Sequence, residues 1–162
     1  MKLLLCDAVI IIESFRLNIW KVLKSKYKIF ISSAVLCESQ YFKDDLSHIQ
    51  YLDFRNDIAN DRIIKVSVSI EEITPILQKT ADNRIDIHTG EAESIAVMLK
   101  PGYQNLYFCT ADKTAVVATH LFNLLDRVVS LEKCLAKKVH TLPFKLTEKA
   151  MQKWKADAIQ RL

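Results

Sequence analysis

Short apolar runs separated by stretches of helical periodicity set the strongest limit on what this chain can fold into. Leu3 to Cys6 is continuously apolar, as expected of a strand covered on both faces, and Tyr27 to Ile31, Ile63 to Val68, Leu106 to Cys109 and Arg127 to Ser130 also read as strands. Between them lie helical patterns. Ile12, Phe15, Ile19, Trp20 and Leu23 recur at helical spacing and end among Lys24, Lys26 and Lys28, where cations suit a helix C-terminus. Ser32 or Ser33 can cap a helix that begins near Ala34 and carries Glu38 just past its first turn. The stretch Asp44 to Arg62 is polar and weakly helical, and Pro75 either opens a helix behind Thr74 or kinks one begun at Ile70. Ala81 to His88 reads as a polar loop. Helices are expected at Gly90 to Leu99, stopped by Pro101-Gly102, at Ala115 to Leu125, and at Thr147 to Leu162. Strand and helix units of this size imply an α/β, three-layer domain, with a central parallel sheet of about five strands, right-handed crossovers and helices on both faces.

Composition narrows the function classes. Half of the 162 residues are hydrophobic and 26% are charged, the balance of an ordinary globular chain that buries a full core in one domain. Gly90 and Gly102 are the only two glycines, so neither a G-x-G-x-x-G fingerprint nor a P-loop is present, which excludes dinucleotide and P-loop chemistry. Cys6, Cys37, Cys109 and Cys134 show no C-x-x-C pairing and no zinc-knuckle spacing with the four histidines, and read as reduced packing thiols. The apolar run from Met1 to Ile12 is interrupted by Asp7, lacks a small-residue cleavage site and is too short to span a bilayer. A cytoplasmic chain that engages no membrane is expected. The net charge of +4 is unevenly placed: residues 131–162 carry Lys133, Lys137, Lys138, Lys145, Lys149, Lys153, Lys155 and Arg161 against Glu132, Glu148 and Asp157, an excess of five positives. Such a basic helical extension suits nucleic-acid phosphates, or equally a solvated helix face.

Acids stand where the apolar runs stop. Asp7 follows the first strand, Glu38 follows the second strand and the Ala34–Cys37 segment, Glu93 lies at a helix start, and Asp112 follows Leu106–Cys109. Open α/β sheets bring the carboxyl ends of their strands to one edge, where such residues converge. Each acid also has a local explanation. Asp7 and Asp112 can cap the helices after them, Glu38 can lie on an outer helix face, and Glu91 and Glu93 can complement a helix dipole, which is the preferred explanation for Glu91. Collected in one place, they raise one another's pKa unless a cation neutralises them. A pocket of carboxylates alone favours Mg2+ or Mn2+ over zinc, and the natural use of such an ion is phosphoryl chemistry. His88 is the only histidine near these acids in sequence and reads as a loop residue.

The segments Leu3-Leu4-Leu5-Cys6-Asp7-Ala8-Val9-Ile10-Ile11, Trp20-Lys21-Val22-Leu23, Ile31-Ser32-Ser33-Ala34-Val35-Leu36-Cys37-Glu38, Gly90-Glu91-Ala92-Glu93-Ser94-Ile95-Ala96 and Thr110-Ala111-Asp112-Lys113 resemble, in order and spacing, the motifs of PIN-domain nucleases. The resemblance spans about residues 1 to 130. It implies a Rossmann-like parallel sheet, an Mg2+- or Mn2+-dependent endoribonuclease acting on RNA, and an antitoxin protein as partner, since the family commonly supplies the toxin of bacterial toxin–antitoxin pairs. By motif match, Asp7, Glu38, Glu93 and Asp112 take the places of the family's acidic catalytic and metal-site residues. Two departures stand out: Ala8 and Val9 follow the first Asp where the family often has Thr or Ser and then Asn, and Thr114, Ala115 and Val116 occupy a stretch where a further acid is often found.

The sequence thus points to a metal-dependent endoribonuclease. The departures motivate an alternative, a PIN-like module that binds RNA or a protein without turnover, and a small-phosphate-ester hydrolase is compatible with the same architecture. Tyr41, Phe42, Tyr51 and Phe54 fit a homodimer contact and the core equally well.

Overall fold

The computed structural model describes residues 1–135 and 142–161. Strand β1 (Lys2–Cys6) becomes the centre of a five-stranded sheet because its apolar run leaves no face to offer water. It pairs on one side with β2 (Tyr27–Ser32), which pairs with β5 (Ile63–Val66), and on the other with β6 (Leu106–Cys109), which pairs with β7 (Val128–Val129). Every pair is parallel and the order is β5-β2-β1-β6-β7. The expected α/β architecture is present. Successive side chains alternate between two cores: Leu5, Phe30, Phe108 and Val128 serve one, and Leu4, Ile29, Ile31 and Cys109 the other.

Helices α1 (Ala8–Arg16), α2 (Trp20–Lys26) and α3 (Ser33–Glu38) contribute Ile10, Ile11, Leu23 and Val35 to the second core. Helices α5 (Ile70–Asp82), α6 (Thr89–Leu99), α7 (Lys113–His120) and α9 (Glu148–Arg161) close the first core through Ile73, Ile95, Val116 and Met151. Between α3 and β5 lie a two-stranded antiparallel hairpin, β3 (Tyr41–Lys43) with β4 (Ile49–Tyr51), and the short α4 (Arg55–Ala59). The five-residue α8 (Leu131–Leu135) follows β7.

Local chemistry explains where the elements depart from the sequence expectations. The periodic stretch Ile12 to Leu23 is two helices, because the chain turns at Asn18, which adopts a left-handed φ of 56° that asparagine tolerates better than most residues. The stretch Asp44 to Arg62, expected to be helical, holds only the short α4 as helix, and its first part to Tyr51 is hairpin: Asp44 Oδ1 accepts from the backbone N–H groups of Leu46 (3.0 Å) and His48 (2.9 Å), and this side-chain turn competes successfully with helix there. Glu38 is the last residue of α3, which is only six residues long. Pro75 lies inside α5, whose start is set by Ser69 and Glu72 bonding each other's backbone N–H. The helix expected to reach Leu125 ends at His120.

The basic C-terminal segment is part of the domain. Met151 and Ala158 are buried against α7, Lys113 pairs with Asp157 at 2.7 Å, and Ser130 Oγ donates to Glu148 Oε2 at 2.6 Å. Lys137, Lys138 and Leu162, included in the sequence reading of this segment, lie outside the described residues. Of the four aromatics named for a dimer contact, Phe54 is buried and stacks edge-on with Phe15 and Trp20, whereas Tyr41 and Tyr51 are exposed and face each other across the hairpin. Replacing Met151 with Ala is expected to cost about 2 to 5 kcal/mol in urea unfolding, as for other buried large-to-small changes. An appendage that merely trails the domain would give no such loss.

Candidate functional site

The strand order reverses between β1 and β6, and the crevice beyond the carboxyl ends at such a reversal is where open α/β sheets present ligand-binding groups. The register sets Cys6 beside Cys109, so the next residues, Asp7 and Thr110, leave the sheet side by side. Asp7 N–H donates to the Cys109 carbonyl at 3.1 Å, and Thr110 Oγ1 donates to Asp7 Oδ2 at 2.8 Å. Two residues on, the Asp112 N–H donates to the same Thr110 Oγ1 at 3.1 Å. Thr110, to which the sequence assigned no separate role, therefore links the two aspartates.

Asp7 precedes α1 but its side chain caps nothing. It is buried, and its pKa is pushed up to about 6: burial is the main cause, the Thr110 hydroxyl and the Ala8 N–H pull the other way, and the negative charges of Glu91 and Asp112 push it further up. Asp112 does act as a cap, since its Oδ1 accepts from Ala115 N–H at 2.9 Å. Its position beside Asp7 is a consequence of the same strand ending.

Of the two glutamates of α6, Glu91 takes the first-turn role expected of it, and Glu93 makes a bond to a neighbouring helix. Glu93 is buried and its Oε2 accepts from Ala34 N–H at 2.8 Å, which supplies the first turn of α3 with a carboxylate from a neighbouring helix and ties the two together. Glu91 bonds the His88 N–H at 2.5 Å, as a residue of the first helical turn does, yet its charge also bears on both Asp7 and Glu38. Glu38 is solvent-exposed at the end of α3, and its pKa is raised by partial burial and then by Glu91 and Glu93, against the pull of His88. The acids are thus neighbours in pairs, Asp112 and Glu91 each bearing on Asp7, and Glu91 and Glu93 each on Glu38, with Glu93 also tying α6 to α3. A signal for this lay in Gly90: a Cβ there would sit 2.9 Å from both carboxylate oxygens of Glu38, so a residue with no side chain is what lets that carboxylate rest against α6.

None of these five acids has an ion-pair partner among the described residues. The donor set is oxygen only, carboxylates with one hydroxyl, which suits a hard divalent cation. Among the described residues no group of three or more His, Cys, Asp or Glu is arranged to hold a metal ion as it stands. Magnesium needs no such cage, because one or two carboxylates with water and substrate oxygens suffice for it. Among the described residues no helix is long and apolar enough to cross a membrane. No protein-family model, no curated protein and no solved structure matches the chain.

Burial of Asp7 ties stability to pH. With a folded pKa of about 6 against the ordinary 3.8, the folded state holds a proton that the unfolded chain has lost, so stability falls as pH rises from 4 to 6 and stays lower above it. Two units correspond to about 3 kcal/mol at most. Asp7→Asn should therefore raise Tm at pH 7.5 and leave it unchanged near pH 4, read by circular dichroism. Gly90→Ala should keep or raise Tm, since alanine favours a helix by up to about 1 kcal/mol, yet displace the Glu38 carboxylate and weaken any Mn2+-induced rise in Tm several-fold. An unaltered Mn2+ response would remove Glu38 from the site.

Proposed function

We propose that the chain is a metal-dependent endoribonuclease of PIN type, hydrolysing RNA phosphodiester bonds at the carboxyl edge of the sheet. The observation that supports this is a series of neighbouring carboxylates at the carboxyl edge, Asp112 bearing on Asp7, Asp7 on Glu91 and Glu91 on Glu38, with no ion-pair partner for any of them among the described residues. Carboxylates kept together without a counter-charge destabilise one another, and a divalent ion removes that cost. Asp7 and Asp112 would hold the ion, with Glu38 and Glu91 reaching it directly or through water. Mg2+ or Mn2+ would there lower the pKa of an attacking water and offset charge on the phosphoryl oxygens.

The chain's own residues set the rest. Thr110 orients Asp7 through one carboxylate oxygen, and Ala115 N–H orients Asp112 through one of its own. Glu93 contributes by fixing α6 against α3, and so the separation of Glu38 from Glu91. Glu93 and Glu91 each give one oxygen to a backbone N–H, but Glu93 is buried and Glu91 is only partly so; in this scheme Glu93 is therefore a positioning residue and Glu91 takes the ligand role that the family resemblance assigns to Glu93. An antitoxin partner and a cytoplasmic setting belong to the same proposal.

A second scheme is favoured by the absence of a ready three-carboxylate cluster among the described residues: a module that binds RNA or a protein without turnover. The deciding assay is cleavage of end-labelled single-stranded RNA of mixed sequence by the wild type, Asp7→Asn, Glu91→Gln and Glu93→Gln, each with Mn2+ or chelator. New fragments from the wild type with metal alone, abolished by Asp7→Asn and cut at least tenfold by Glu91→Gln, are expected. Equal cleavage by Asp7→Asn sinks the nuclease assignment. RNA binding without fragments selects the second scheme.

A further inference from the structure

At the opposite edge of the sheet, where the strands begin, a cavity of about 530 Å³ is lined by Lys21, Lys24, Lys28 and Arg62, with Tyr27 and Asp61 among its other walls. In the sequence Lys24 and Lys28 stand out only as cations at a helix end, and Arg62 is distant from them. The fold creates the cluster. Trp20 and Leu23 of α2 turn into the core, which leaves Lys21 and Lys24 on the open side one helical turn apart. Lys28 lies near the start of β2 and Arg62 immediately precedes β5, the strand paired with β2, so both reach the same end of the sheet.

Like charges sharing one wall repel one another unless an anion lies among them. Lys24 has such a partner, Asp57 Oδ2 at 2.5 Å. Among the described residues Lys21, Lys28 and Arg62 have no ion-pair partner at all. Asp61, the acid on the wall, leaves the lining strongly positive. The size is that of a site for a nucleotide, since small-molecule pockets run from roughly 300 to 1,000 Å³. A guanidinium fork with point-charge ammonium groups around it is the side-chain set that grips phosphate oxygens.

We propose that this cavity binds the phosphate groups of a nucleotide or of an RNA strand. The five residues of β1 separate it from the acidic edge by roughly 16 Å, at about 3.3 Å per residue, so it is a distinct site and does not depend on whether the acids cleave anything.

The test is equilibrium binding to the full chain in chelator, which keeps cleavage out of the measurement. The probes are a fluorescent ATP analogue, a fluorescein-labelled oligouridine and a labelled poly-glutamate peptide, each titrated against wild type and Lys28→Ala/Arg62→Ala. The double variant should lose at least tenfold in affinity for the phosphate probes. For the oligouridine its salt slope should fall by about 1.4, at about 0.7 for each phosphate contact on a single strand. Both side chains lie outside the core, so Tm should hold or rise. Loss confined to the ATP analogue supports a free nucleotide as the natural source, and loss confined to oligouridine supports an RNA strand. No binding of either phosphate probe by the wild type, unchanged affinity in the double variant, or poly-glutamate bound as tightly as oligouridine and weakened as much, overturns the proposal.

Discussion

The pairing of β1 with β6 is the constraint on which the acidic edge depends. Those strands are distant in sequence and adjacent in space only because the strand order reverses between them. Parallel pairing in register brings both strands to an end together, and the backbone bond from Asp7 N–H to the Cys109 carbonyl extends the ladder by one step beyond the last pair. The first side chains free of the sheet are then an aspartate and a threonine in hydrogen-bond contact. A slip of one residue in this register would turn Asp7 toward a different layer and separate it from Thr110.

Several acids here have a structural and an electrostatic role at once. Asp112 caps α7, Glu91 holds the His88 N–H at the start of α6, and Glu93 supplies a carboxylate to the first turn of α3. Each such bond spends one carboxylate oxygen on the fold and fixes where the charge sits. Asp7 alone among them caps no helix, and its partner is a hydroxyl that arrives from another strand. Its charge is held in a buried place by the topology of the sheet, against its own solvation preference.

Much of this was legible in the residues. Apolar runs marked β1, β2 and β6 closely, since a strand buried on both faces announces itself without any periodicity, and alternation marked β5, whereas β7 is only two residues long and lay inside a broader expectation. Asp7, Glu38, Glu93 and Asp112 were all singled out, and the structure brings each of them to the start of α6 or the switch between β1 and β6. Which oxygen atoms remain for a ligand was not legible. That depends on cross-chain bonds such as Glu93 to Ala34 and Thr110 to Asp7, separated by 59 and 103 residues. The hairpin at Tyr41–Tyr51 was missed for a more local reason, because a single aspartate bonding backbone N–H groups outweighed a weak helical pattern.

The cationic cavity and the carboxylates lie beyond opposite ends of the strands. A polyanion is attracted by the first and repelled by the second, so these two local fields favour approach by the amino end of the sheet. The acids then arrive facing away. Bringing the other end to the same polymer takes either a reorientation after first contact or a strand long enough to bend around the domain. Were the proposed divalent ion bound at the acids, it would shift that end by two charges and weaken its repulsion, so ion concentration would bear on the direction of encounter as well as on anything that happens after it.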